Sequence, residues 1–300
     1  MLPSSIPEIL DVLVMRGANA ARDAPPDLVI EIPHGATATV DFTVLAARLT
    51  SPLPAGLVDF FHVNTDAGAP ELAIAIAHRF VAEAPARSVA VLRCRVPRTF
   101  IDCNRRLDAS DAEFKAGKVT GGLMPWITTP EDRAVLRAAY DRYVGAVRAA
   151  LAALAPGGAI LMLHSYAPRT VGVEVDLEIV ASLRRAYQPE VEPSWPLRPE
   201  LDVISRELDG TDRAPPDVVA TLRRELAALG LTAADSATYP LHASTLAHGH
   251  VLAHPGRALC VEVRRDLLAD PFEPFAQMAI GAAKVERLVA PFVRALHHWW

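Results

Sequence analysis

Cysteine is scarce in this chain. The three present, Cys94, Cys103 and Cys260, are unclustered and sit in or beside strand-like apolar runs. That usage suits buried, reduced thiols in a cytoplasm and speaks against a cysteine-built zinc site. Long apolar runs are missing as well. Stretches such as "GGAILMLHSYA" are too short to span a bilayer, which takes about 20 residues as a helix. The N-terminus, "MLPSSIPEILDVLVMRGA", lacks a basic start followed by a small-residue cleavage site, so no secretory signal is read and the expected location is cytoplasmic. No basic stripe or tail stands out among 30 basic and 35 acidic residues. Neither nucleic acid nor a membrane is therefore an expected partner. Two chemical signatures are also absent. "GKVTGG" at 117–122 is not the GxxxxGK[ST] of a phosphate-binding loop, and no G-x-S-x-G turn surrounds Ser165, which removes the serine-hydrolase reading.

What is present is a globular composition, 51% hydrophobic and 22% charged, and an alternation of strand-like and helix-like runs. "DLVIEIPHG", "GLVDFFHVNTD", "SVAVLRCRV", "GGAILMLHSYA" and "RALCVEVRRDLL" read as strands. "PELAIAIAHRFVAEA", with Pro70 in its first turn, "PEDRAVLRAAYDRYVGAVRAALAAL", "PDVVATLRRELAALG" and "AQMAIGAAKVERLVAPFVRALHHWW" read as helices. The expected fold is α/β: a single domain over residues 1–300, with a mostly parallel or mixed central sheet and helices on both faces. An irregular Pro-rich excursion, "YQPEVEPSWPLRPELD" and the residues after it, is expected near 187–216. No internal repeat is visible.

The polar residues fall where such folds build sites, at the carboxyl ends of strands. Four apolar runs end in polar groups: His34, Asp66, the cluster in "PRTFIDCNRR" (97–106) and His164. A fifth run carries Glu262 within it. Each residue has an ordinary reading: a turn histidine, a helix cap or turn former, a core histidine bonded to a carbonyl, and an ion pair of Glu262 with Arg264 or Arg265. Together they form a set suited to zinc, with two imidazoles, one carboxylate and a fourth position open for water. Such a metal polarises a carbonyl and lowers the pKa of bound water towards about 7. Glu262 is the candidate base for that water. Arg98 suits the oxyanion of a tetrahedral intermediate, Asn104 and Arg105 a substrate carboxylate, and Asp102 the orientation of an arginine.

"LHASTLAHGHVLAH" (His242, His248, His250, His254) invites a metal reading, but Val251 stands where an H-E-x-x-H motif needs its Glu. Gly249 and Pro255 bracket the pair His250 and His254, so no helix is expected there. His297 and His298 read as surface residues.

"PHG" at 33–35, "NTDAGAPELA" at 64–73, "RTFIDCNR" at 98–105 and "LHSYAP" at 163–168, with "LCVEV" at 259–263, resemble the N-formylglutamate amidohydrolase family in order and approximate spacing. The resemblance implies a zinc-exopeptidase-like (phosphorylase/hydrolase-like) fold related to aspartoacylase. It also implies one zinc per chain on His34, Asp66 and His164, a catalytic Glu262 and Arg98, and substrate binding by Asn104 and Arg105. Carboxypeptidases place the acidic ligand three residues after the first His, and that position here is Thr37; Asp66 takes its place, with Glu71 in reserve. The Gly-Arg-Phe-x-Gly-Gly segment of the histidine-degradation deformylases is absent before Glu262. The expected activity is hydrolysis of an N-acyl amino acid or related carboxylate-bearing amide, a small-molecule or peptide-like substrate. The alternatives are a zinc carboxypeptidase or cell-wall peptidase, and a metal-free carboxylate-binding module.

Overall fold

Four of the apolar runs do become strands, and they lie side by side. The computed structural model describes residues 2–300. In chain order its elements are β1 (Leu10–Arg16), β2 (Leu28–Ile32), α1 (Thr39–Ala46), α2 (Val58–Asn64), α3 (Ala69–Glu83), β3 (Ser88–Cys94), α4 (Asp111–Ala116) and α5 (Pro130–Ala152). They continue with β4 (Ala159–Tyr166), α6 (Ile179–Ala186), β5 (Leu201–Val203), α7 (Pro216–Ala227), β6 (Ala233–Asp235), α8 (Leu246–Ala253), β7 (Ala258–Arg264) and α9 (Ala282–Leu296). The sheet has seven strands in the order β1-β3-β2-β4-β7-β5-β6. β3, β2, β4 and β7 run parallel, whereas β1 lies antiparallel on β3 and β5 antiparallel on β7.

Period-two alternation divides the central strands between two cores. Leu28, Ile30, Ile32, Leu161, Leu163, Val261 and Val263 pack against α3, α7 and α9. Val29, Leu92, Cys94, Ile160, Met162 and Cys260 face the other way, onto α5 and the phenylalanines of α2. This is the α/β sheet covered on both faces that the alternation of runs implies. All three cysteines are free and buried. No helix among the described residues is long and apolar enough to cross a membrane.

Two local expectations fail. "GLVDFFHVNTD" is a helix, α2, because Leu57, Phe60 and Phe61 share a helical face and are all buried. A short apolar run carries too few periods to separate helix from strand. "LAHGHVLA" is also a helix, α8, with the Thr245 hydroxyl accepting from His248 N–H at its start. A Cβ at Gly249 would meet nothing within 4 Å, so no close packing demands the glycine, and one interior glycine costs a helix only about 1 kcal/mol. Within the Pro-rich excursion near 187–216, Leu201–Val203 form β5, and Ser205, just past that strand, is buried.

β3 lies on one side of β2 and β4 on the other. The crossovers therefore part at the carboxyl end of β2, which is where open α/β sheets leave a crevice. His34 stands there.

Candidate active site

β2 ends at Ile32 and Pro33 offers no N–H to extend the ladder, so the chain turns at His34. Gly35 is required by crowding: a Cβ there would lie 2.7 Å from Arg93 Cγ and 3.1 Å from the Cys94 carbonyl oxygen. Asp66 lies in the turn between α2 and α3, and its N–H donates to the His34 carbonyl at 3.3 Å. Gly68 closes that turn at φ +87°, where a Cβ would sit 2.6 Å from Leu268 Cβ. A left-handed residue with no room for a side chain must be glycine. His164 belongs to β4 and is the register partner of Glu262 on β7. Both lie on the α5 face, towards the carboxyl ends of their strands.

These turns and strand ends converge. His164 Nδ1 lies 2.9 Å from Asp66 Oδ2, and His34 Nδ1 lies 3.3 Å from the same oxygen. One ligand atom from each of His34, Asp66 and His164 falls within 4.8 Å of the others, and all three residues are buried. The imidazole centroids are 5.1 Å apart. Glu71, the reserve acid, is exposed on the first turn of α3 and takes no part. Burial opposes the charge on Asp66, but His34 and His164 hold its carboxyl below the usual range. Burial likewise opposes charge on His164, yet Asp66 raises it well above an ordinary histidine. Burial pushes the Glu262 carboxyl up, and its Oε2 is buried without a hydrogen-bond partner.

The charged cluster in "PRTFIDCNRR" is organised around Asp102. Its Oδ1 accepts from His34 Nε2 at 2.8 Å and from the Asn104 N–H at 2.8 Å. Its Oδ2 faces Arg98 Nη2 at 3.3 Å and Arg105 Nη2 at 3.2 Å. Burial would raise this carboxyl, but Arg105, His34 and Arg98 hold it well below the usual range. An ionised carboxylate only accepts, so His34 donates to it from Nε2, while Nδ1 faces Asp66. Asp102 thus faces two arginines where the sequence suggests one, and it also bonds to His34, which sequence reasoning missed. No sequence pattern announces a contact between residues 34 and 102.

Arg98 Nη1 lies 3.3 Å from His34 Nδ1 and 3.9 Å from Asp66 Oδ1. Burial works against its charge, and Asp102 and Asp66 more than restore it. The Asn104 amide oxygen accepts from the Ala247 N–H at the start of α8, which leaves the NH2 group for other partners. Arg105 is more committed than its sequence context suggests. Nε donates to the Thr120 carbonyl, Nη1 to the Asn104 carbonyl, and Nη2 pairs with Asp102. Of five guanidinium donors, one on each terminal nitrogen is left over.

His34, Arg98, Asn104, Arg105, His164 and Glu262 border one cavity of about 260 Å³, and the buried Asp66 and Asp102 do not. Lys118, Thr120, Arg198, Tyr239 and Arg265 border it too, and none was expected. Arg198 comes from the Pro-rich stretch, and its guanidinium lies over the rings of Tyr166 and Tyr239 at 5.0 and 5.7 Å. No histidine of 242–254 reaches this cavity; Thr245 and Ala247 do. His248 instead pairs with Glu207 at 3.2 Å, and His250 Nε2 lies 3.7 Å from Glu31.

No curated protein matches the sequence significantly. Among solved structures, the N-formylglutamate amidohydrolase of Ralstonia eutropha superposes with a TM-score of 0.57 at 18% identity, over 97% of this chain and 98% of that one. A gene product of Agrobacterium tumefaciens superposes with a TM-score of 0.52 at 17% identity, over 96% of this chain and 94% of that one. Identities this low speak for the fold alone. The sequence profile of the N-formylglutamate amidohydrolase family matches residues 26–269, a span that contains every residue of the cluster, and the chain belongs to that family.

Proposed function

We propose that this protein is a zinc-dependent amidohydrolase that splits an N-acyl amino acid, or a similar amide bearing a carboxylate. The observation that carries the reading is the convergence of His34, Asp66 and His164 within 4.8 Å of one another, beside Glu262 with its unpartnered Oε2. Two imidazoles and one carboxylate are a donor set that zinc takes with a fourth position open. The chemistry fits the group. His34 and Asp102 form a carboxylate–histidine pair of the kind that fixes a ligand's tautomer, and the proton that His164 Nδ1 shares with Asp66 would yield to a cation.

When bound, zinc supplies Lewis acidity and an acidified water. The protein's own groups do the rest. Asn104 and the two spare donors of Arg105 hold the carboxylate of the amino acid, which sets the amide carbonyl in register with the cluster. Arg98 Nη1 faces the position where negative charge grows on that carbonyl oxygen, and its second terminal nitrogen is anchored on Asp102, so it does not have to reorganise. Glu262, raised by burial and lacking a partner for Oε2, accepts a proton from the attacking water and returns it to the leaving nitrogen.

The test is to assay purified protein against N-formyl, N-acetyl and peptidyl amino acids before and after chelation, and to count metal by elemental analysis. Turnover lost with the chelator and restored by zinc supports the proposal. Protein holding far less than one zinc per chain, with no turnover of any amide, would point instead to a carboxylate-binding module.

A further inference from the structure

The active-site cavity has two unlike wings. Arg98, Asn104, Arg105 and Lys118, all from the 97–122 segment, make one part of the lining cationic. The aliphatic lining comes from other segments; Arg169 and Arg198 border the same cavity with donors engaged, Arg169 on the Pro193 and Trp195 carbonyls and Arg198 on Thr170 Oγ1 and the Ala167 carbonyl. Phe60 and Val63 come from α2, Leu183 from α6, and Val171, Val173 and Val175 from the extended segment between β4 and α6. That segment alternates: Thr170, Gly172, Glu174 and Asp176 are exposed, while the three valines between them are half-buried and face the cavity. An extended chain puts every second side chain on one face, so a stripe of three valines is a built wall. The ion pair of Arg184 with Asp59 ties α6 to α2 and holds two of the walls together. Arg265, at the floor, spends its terminal nitrogens on the carbonyls of Val63 and Ser165.

We propose that this apolar wing takes the acyl group of the substrate, and that the group is a hydrocarbon chain of several carbons. The inference rests on the amide-hydrolysing reading above. If the carboxylate of the amino acid sits on Asn104 and Arg105, the acyl side of the scissile bond points away from the cationic wing and into the aliphatic one. A formyl group has no carbon to place there and leaves Val171, Val173 and Leu183 facing water. Each methylene that fills the wing strengthens binding by about fourfold, the equivalent of its transfer from water.

The experiment uses N-formyl, N-acetyl, N-butanoyl, N-hexanoyl and N-succinyl glutamate. Turnover is measured on the natural chain, and binding by calorimetry on the Glu262→Gln variant. Affinity and kcat/KM rising about fourfold per methylene from acetyl to hexanoyl support the proposal, together with a fall of the hexanoyl-to-formyl ratio by about tenfold in Val173→Asn. A flat series, a preference for formyl, or tighter binding of succinyl than butanoyl overturns it. The two readings separate cleanly. Turnover of the formyl compound with a flat series removes the apolar acyl group and leaves the hydrolase. Affinity rising with chain length but no turnover of any compound removes the hydrolase and leaves the wing.

Discussion

His164 and Glu262 face each other directly across the β4–β7 pair, on the same side of the sheet. Parallel register therefore sets a candidate metal ligand beside a candidate base without any loop to adjust. In Glu262→Gln the side chain keeps its shape and loses its basicity. Turnover is expected to fall by about 10²–10⁴, the range for a lost general base, with zinc content unchanged. Steady-state rates alongside elemental analysis check this. A near-normal rate on a good substrate removes Glu262 from the mechanism.

Asp102 acts on the cluster through His34. Asp102→Asn can still bond to Nε2, but as a neutral partner of either polarity it no longer dictates the tautomer. Zinc affinity is expected to drop by about 10–100-fold, as for other partners of metal-bound histidines. Competition with a chromophoric chelator measures it, and His164→Ala sets the scale for loss of a ligand. Equal zinc affinity in Asp102→Asn and the natural protein would show that the His34–Asp102 contact is only structural.

Gly68 supports Asp66. Alanine at φ +87°, with its Cβ 2.6 Å from Leu268 Cβ, costs about 1–3 kcal/mol of backbone strain and forces the turn to move. Gly68→Ala is expected to lower the thermal midpoint and the zinc content together. Full zinc content at reduced stability would separate the turn from the metal cluster.

Asp132 predicts an acid limb of stability. It is buried near the start of α5 and accepts from Ser51 N–H at 2.6 Å and from Thr50 N–H at 3.0 Å. Burial opposes its charge, but these donors hold its carboxyl below the usual range. A group with a depressed native pKa stabilises fully above its unfolded value, about 3.9, and progressively less as pH falls through the native one. Asp132→Asn should therefore cost about 1–3 kcal/mol near neutrality, and the gap should narrow as pH falls below about 3.9 and close only below the native pKa. Urea titrations at several pH values read the difference; a constant gap at every pH would contradict it.

Much of the fold is legible because the central strands are written as continuous apolar runs. β2, β3, β4 and β7 each read as a strand for that reason, and α3, α5 and α7 as helices by their periodicity. The strands β5 and β6, three residues each, are too short to carry a pattern. α2 and α8 were misread for a related cause: over seven or eight residues, burial by tertiary neighbours outweighs local preference.

The amino-acid order by itself determined which chemical groups stand at strand ends, since a polar residue that interrupts an apolar run must leave the core there. His34, the Arg98–Arg105 cluster, His164 and Glu262 were visible on those terms. Only the tertiary structure decided who meets whom. Asp66 was chosen over Glu71 because the α2–α3 turn packs on His34 while Glu71 looks outward to solvent. The bond from Asp102 to His34, the three commitments of Arg105, and the valine wall beside the site all join segments distant in the chain. Such contacts arise from the packing of whole elements, and no local spacing encodes them.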